Sequence, residues 1–348
     1  MTCLVAGDVD TRVDAVDDTR DPGWGGPLPT GSGAARAAVS SRAMARVLLL
    51  GVPRSGTTWS GRVLGHTAGT AYVNEPDGDT EPYALTARLG FGGPPTLAPG
   101  DAHAAYERLW AGAFAGGGRP MAVTARIARY LDAGADPASR FRAWYGDGLT
   151  PRLRVVRAWA RPPEPTDARH VVVKTVRAEF TAEWIVERFA PTVLLVERNP
   201  LNVLASWIDL GYALDEREFR TYVDRATPWG IAPPEGAGPV ERQTFTFAVM
   251  ATALRDAATR RGWMRTTHEH LCIDSIARFR SLAEDLGLEW SDAAAHFVEE
   301  SDREGSGYRT ERRTAEQPER WRARLTEEQL DRILAVLARF PALERPAV

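Results

Sequence analysis

RVLLLGVPRSGTTWS, Arg46 to Ser60, reads as a strand, an anion-gripping turn and the start of a helix. Val47, Leu48, Leu49 and Leu50 form a short apolar run bounded by Gly51 and Pro53, the pattern of a strand buried on both faces of a parallel sheet. Gly56 lets the backbone approach an anion closely. Thr57 and Thr58 add hydroxyl donors, Arg54 adds a fixed positive charge, and a helix beginning near Trp59 would aim its unpaired N–H groups at the same point. Gly51 and Gly56 are spaced as in a nucleotide-triphosphate loop, but Thr57 stands where the phosphate-binding lysine of that loop would be. A kinase or ATPase thus lacks its main electrophile.

Composition sets the outer bounds. The 348 residues suffice for a large α/β domain, and 44% hydrophobic with 26% charged residues is ordinary for a globular chain. A net charge of −3 gives no overall pull towards nucleic acid or an anionic membrane. Only Cys3 and Cys272 are present, so a disulfide framework is not expected and a reducing cytoplasm is the default setting. No apolar run approaches the ~20 residues of a membrane span, and the acidic N-terminus does not read as a signal peptide.

Residues 1–43, rich in Gly, Asp, Ala and Pro, are expected to form a disordered tail. A single domain is expected over 44–348, interrupted at about 77–168 by an irregular insertion with Gly and Pro clusters. Tyr106, Leu109, Trp110 and Phe114, then Phe141, Trp144 and Tyr145, give this insertion either a satellite core or an acceptor pocket. Strands are predicted at Thr70–Val73, His170–Val176, Thr192–Val196 and Trp263–Thr267, and helices at Glu179–Phe189, from Asn199, over Glu241–Arg260, from His268 through Leu286, and over Thr326–Phe340. This alternation implies α/β architecture, a central parallel sheet flanked by helices, with ligands at the carboxyl ends of the strands. Arg54, Glu75, Lys174 and Arg198 all fall near such ends.

PRSGTTW resembles the 5′-phosphosulfate loop of sulfotransferases that use 3′-phosphoadenosine-5′-phosphosulfate (PAPS). A second stretch, ERNPLNVLASW, places Arg198 and Ser206 eight residues apart, similar to the arginine and serine with which that family holds the 3′-phosphate. A third, ERWRARLTEEQ, is spaced like the segment following the family's basic 3′-phosphate loop, which makes Arg312 and Arg313 the candidate basic pair, although no glycine follows them.

The resemblance implies a P-loop-like sulfotransferase fold and PAPS as cosubstrate. Arg54, Ser55, Gly56, Thr57 and Thr58 would hold the phosphosulfate, Trp59 would pack on the adenine, and Arg198, Ser206, Arg312 and Arg313 would serve the 3′-phosphate. Fixed donors and an arginine stabilise charge spread over sulfuryl oxygens without a metal, and no metal site is expected. The family's phenol-type members carry a histidine base directly after Lys-Thr, but Lys174-Thr175 is followed by Val176. Glu75, 21 residues after Arg54 and followed by Pro76, is the expected base, as in the tyrosyl-protein and carbohydrate types; Lys174 would steady the sulfuryl group or the leaving phosphate. The acceptor is expected to be a small molecule or glycan, with a glycosylated natural product of secondary metabolism as one form of it. An atypical P-loop kinase or other nucleotide-binding protein is the alternative. His268, Glu269 and His270 suggest a metal cluster at first sight, but neighbouring side chains at a strand end point apart, and a structural turn is expected.

Overall fold

The structure, a computed structural model, describes residues 44–78, 89–91, 94–116, 168–212, 214, 216–303 and 313–343. The expected tail at 1–43, the aromatics Phe141, Trp144 and Tyr145, and Arg312 lie outside the described residues.

Five strands, β1 (Arg46–Leu50), β2 (Thr70–Asn74), β3 (His170–Thr175), β4 (Thr192–Glu197) and β5 (Met264–Thr267), form one sheet in the order β2-β3-β1-β4-β5, parallel throughout. The apolar runs sit at its centre, and all six residues of β3 are buried. Side chains alternate between two cores. Leu48, Leu50, Val171, Val173, Val193 and Leu195 face one; Val47, Leu49, Val172, Leu194 and Val196 face the other.

Helices cover both faces. On the second face lie α1 (Thr57–Gly65) and, further along the chain, His268–Cys272, Ser275–Asp285 and Asp292–Ser301; on the first lie α2 (Ala104–Phe114), α3 (Ala182–Phe189), α4 (Pro200–Asp209), α5 (Glu216–Ala226), α6 (Pro239–Arg261) and, near the C-terminus, Glu327–Leu337. The three late helices of the second face are α7, α8 and α9, and the last helix is α10. The chain therefore leaves β1 through a helix on one face and leaves its two neighbours, β3 and β4, through helices on the other. Such a reversal opens a crevice at the carboxyl end of the central strand, above Leu50.

Local chemistry accounts for the helix ends. Asn199 caps α4 by accepting the Leu201 N–H at 2.9 Å, and Pro200 occupies its first position. Thr326 and Gln329 form a reciprocal capping box on α10. Gly61 and Gly65 let α1 lie on Tyr72 of β2, where a Cβ on either would come within 2.6 Å of the tyrosine.

Two helices differ from expectation. α3 begins at Ala182, not Glu179, because Thr175 Oγ1 accepts the Arg177 N–H at 3.1 Å and turns the chain after β3. The helix expected from His268 to Leu286 is broken in two at Asp274, whose φ of 49° is left-handed. Tyr106, Leu109, Trp110 and Phe114 of α2 belong to the main core.

Candidate functional site

The turn after β1 lies at the crevice and is tightly closed. A Cβ on Gly51 would lie 2.5 Å from Ser55 Oγ and 2.6 Å from the Val196 carbonyl. Gly56 adopts a φ of 91°, and a Cβ there would lie 2.4 Å from Nδ1 of the buried His268. Both positions thus require glycine. Gly56 caps α1 with no side-chain hydrogen bond, and the first turn of α1 contains no acidic residue. Its amides are consequently available to an anion.

Two side chains of α4 and Arg198, just before its cap, grip this turn. Arg54 Nε donates to Ser206 Oγ at 3.0 Å, Arg198 Nη1 donates to the Arg54 carbonyl at 3.1 Å, and Trp207 Nε1 donates to the Pro53 carbonyl at 3.1 Å. Arg54 itself has a φ of 73°, unusual for a side chain of its size. Burial pulls the Arg198 guanidinium down to about 10, against the opposing pull of Glu269, and it stays charged at neutral pH.

A C-terminal segment reaches Arg198 at the mouth of α4. Arg198 Nη2 donates to Gln317 Oε1 at 3.4 Å, and Gln317 Nε2 donates to the Arg313 carbonyl at 3.0 Å. The Arg313 side chain is exposed and 3.8 Å from Glu316. Glu269 accepts the Asn199 N–H at 3.1 Å and lies 4.0 Å from Arg198 Nε.

Lys174 and Glu75 form an ion pair on the other side of β1. The register sets Lys174 between Leu49 of β1 and Asn74 of β2, so Glu75 stands about 10 Å, two strand spacings, from the turn. Lys174 is only 2% exposed; desolvation lowers its pKa, and the Glu75 carboxylate works against that. Glu75 has a φ of 45°. Its backbone is pinned by its own N–H to the Lys174 carbonyl at 2.7 Å, and by Asp77, which accepts from Thr175 Oγ1 at 2.7 Å and Tyr106 Oη at 3.3 Å. Asp77 is fully buried, and desolvation raises its pKa.

Of the residues singled out from sequence, Arg54, Gly56, Arg198 and Ser206 converge, and Glu75 and Lys174 pair. Thr58 is half-buried at the start of α1, while Ser55 and Thr57 are buried beneath the turn. Trp59 is different: it is 6% exposed, its Nε1 donates to Ser301 Oγ at 2.8 Å, and its ring meets His268 and Phe279 edge-on. Its surroundings are those of a core residue rather than a base-stacking platform. His268 is buried and His270 exposed, in the first turn of α7 rather than at a strand end. Burial, aided by the charge of Arg198, pushes the His268 pKa well down. Among the described residues no group of three or more His, Cys, Asp or Glu side chains could hold a metal ion, and no helix is long and apolar enough to cross a membrane.

Sequence reading missed Asn202, Glu269 and Gln317 as partners of this site, and Asp77 as the anchor beside Glu75. Their polar burial arises only from tertiary contact, so no spacing in the chain announces it. A cavity of about 360 Å³ also opens beside Arg198, walled by Val52, Leu195, Phe247 and Leu254 and bordered by Asn199 and Glu269.

No protein-family model matches the chain, and no curated protein matches it. Among solved structures it is similar to the sulfotransferase domain from the Synechococcus PCC 7002 olefin synthase, with 12% identity over 84% of this chain and 94% of that one and a TM-score of 0.39. It is likewise similar to sulfotransferase STF9 from Mycobacterium avium, with 14% identity over 87% of this chain and 79% of that one and a TM-score of 0.39. Similarity at that level leaves the assignment of function to the residues themselves.

Proposed function

We propose that the chain is a sulfotransferase that moves the sulfuryl group of PAPS to a hydroxyl of a glycan or glycosylated small molecule. The observation that carries this reading is the convergence of Arg54, Arg198 and Ser206 on one crevice, through the 3.0 Å and 3.1 Å contacts that bind α4 to the turn. One anion seat is the uncapped start of α1. A second cationic position, Arg198, lies beside it, which suits a ligand with phosphates at two places on one ribose. Thr57 in place of a lysine disfavours a nucleotide triphosphate.

In the proposed reaction the acceptor oxygen attacks sulfur in line, and the bond from sulfur to the 5′-phosphate oxygen breaks. Glu75 takes the acceptor's proton, and adenosine 3′,5′-bisphosphate leaves. The charge that develops on the bridging oxygen and the sulfuryl group is met by the amides of α1, Arg54 and Lys174. Lys174 also orients Glu75 through their ion pair. Preference for a carbohydrate acceptor rests on the Glu75-Pro76 turn and on Val176, which replaces the histidine base of phenol-type enzymes.

Calorimetry with adenosine 3′,5′-bisphosphate in the absence of metal, set against ATP with magnesium, tests the donor. Binding of the bisphosphate without metal is expected. Tight magnesium-dependent ATP binding, with none of the bisphosphate, would instead identify an atypical P-loop kinase.

A further inference from the structure

Asn202 lies in the first turns of α4 and is 1% exposed. It is one of the polar groups most deeply set beside the crevice, and three of its four hydrogen-bonding directions reach two distant parts of the chain. Its carboxamide oxygen accepts the Trp321 N–H at 3.0 Å. Its amide nitrogen donates to the Pro318 carbonyl at 2.8 Å and to Glu269 Oε1 at 3.3 Å. That same carboxylate oxygen takes the Asn199 N–H at 3.1 Å and lies 4.0 Å from Arg198 Nε. Gln317, 3% exposed, adds the contact from the C-terminal segment to Arg198 Nη2 at 3.4 Å.

Three segments distant in sequence therefore meet the Arg198 guanidinium at the mouth of α4: the turn after β1, the start of α7 and residues 313–321. Arg198 is held on three sides, by the Arg54 carbonyl, Gln317 and Glu269. Only a side chain with both an acceptor and two donors can bridge Trp321, Pro318 and Glu269 together. An aspartate would keep the Trp321 bond but set a second carboxylate against Glu269 and face the Pro318 carbonyl with lone pairs. A buried amide that joins its neighbours in this way fixes geometry more than it adds stability.

We propose that Asn202 is a positioning residue for recognition of the nucleotide's 3′-phosphate: by tying both residues 313–321 and Glu269 to α4, it sets the orientation of Arg198 and the approach of Arg313. This rests on the PAPS reading above. Asn202 touches no reacting atom, and its effect is expected in selectivity between two nucleotides rather than in binding as such.

The test compares adenosine 3′,5′-bisphosphate with adenosine 5′-phosphate by calorimetry on the full chain, in the wild type, Asn202→Asp and Gln317→Ala. The wild type should prefer the bisphosphate. In Asn202→Asp that preference should fall about tenfold, equivalent to about 1.4 kcal/mol, with 5′-phosphate affinity within about twofold of wild type; Gln317→Ala should move it in the same direction. A preference unchanged in both variants, or equal losses for both nucleotides, overturns the proposal. Amide hydrogen exchange at Trp321 provides a readout independent of any ligand: it should accelerate in Asn202→Leu, which removes the oxygen that accepts the Trp321 N–H, and unchanged protection refutes the tie itself. A wild type without preference for the bisphosphate removes the donor reading and the 3′-phosphate role with it, and the exchange result then shows separately whether the tie exists.

Discussion

Arg54 Nε and Ser206 Oγ lie 3.0 Å apart although 152 positions separate them in sequence. That bond joins the turn after β1 to the second half of α4 and fixes the direction of the one flexible cation on the turn. Ser206→Ala removes the acceptor while leaving a small side chain in the core. Affinity for adenosine 3′,5′-bisphosphate is expected to fall about tenfold, a loss typical of one hydrogen bond to a charged group. Thermal stability should barely change. Calorimetry alongside a melting curve checks both, and an unchanged affinity would show that Arg54 needs no tether.

Glu75→Gln keeps the shape of the side chain and removes its capacity to take a proton. Turnover should drop by about 10²–10⁴-fold, the usual contribution of a general base, while bisphosphate affinity stays near wild type. Single-turnover measurement with labelled PAPS and a panel of glycan acceptors reads the chemical step directly. Wild-type turnover in the variant would remove Glu75 as the base.

Gly56→Ala sets a methyl group against the imidazole of His268 in a backbone conformation that side chains avoid; the φ is 91° and the nearest ring atom 2.4 Å away. The protein should lose about 1–3 kcal/mol of stability, and anion binding should weaken with it. Chemical denaturation measures the first quantity. A variant as stable as the wild type would mean that the turn relaxes freely.

Glu179 follows the β3 end and is buried with one oxygen accepting from Tyr222 Oη at 3.1 Å. Its other oxygen has no hydrogen-bond partner. Desolvation raises its pKa from the ordinary 4.5 to about 7. The folded state thus holds this proton more tightly than the unfolded chain. The contribution to stability is full below about pH 4.5 and is lost as pH rises towards 7. Glu179→Gln, which stays neutral and still accepts from Tyr222, should be more stable than wild type at pH 8 and about equal at pH 4.5. Denaturation curves at the two pH values decide the matter; a constant difference between them would contradict a buried titrating carboxyl.

The sheet was legible in sequence because its central strands carry continuous apolar runs, Val47–Leu50, Val171–Val173 and Val193–Val196, that need two covered faces. The turn at Gly51–Gly56 was legible because glycine spacing and a following helix express a local requirement. Glu179 was mistaken for a helical residue because the turn there depends on the Thr175 hydroxyl, which has no signature in periodicity. Trp59 misled for a related reason. An aromatic next to an anion loop looks the same in sequence whether it faces a ligand or, as here, Ser301 and Phe279. The role of Asn202 was hidden because its three partners lie 67, 116 and 119 positions away.

The left-handed φ of 73° at Arg54 sets two kinds of selection against each other. Glycine at this position would relieve the backbone and reduce crowding, so a search for heat-resistant variants would favour it. The same exchange removes the guanidinium that α4 holds over the turn. On the proposed function, screens that score survival of the fold alone will drift at this residue towards chains that lose the donor seat, and a stabilised version meant to keep that function needs Arg54 held fixed from the start.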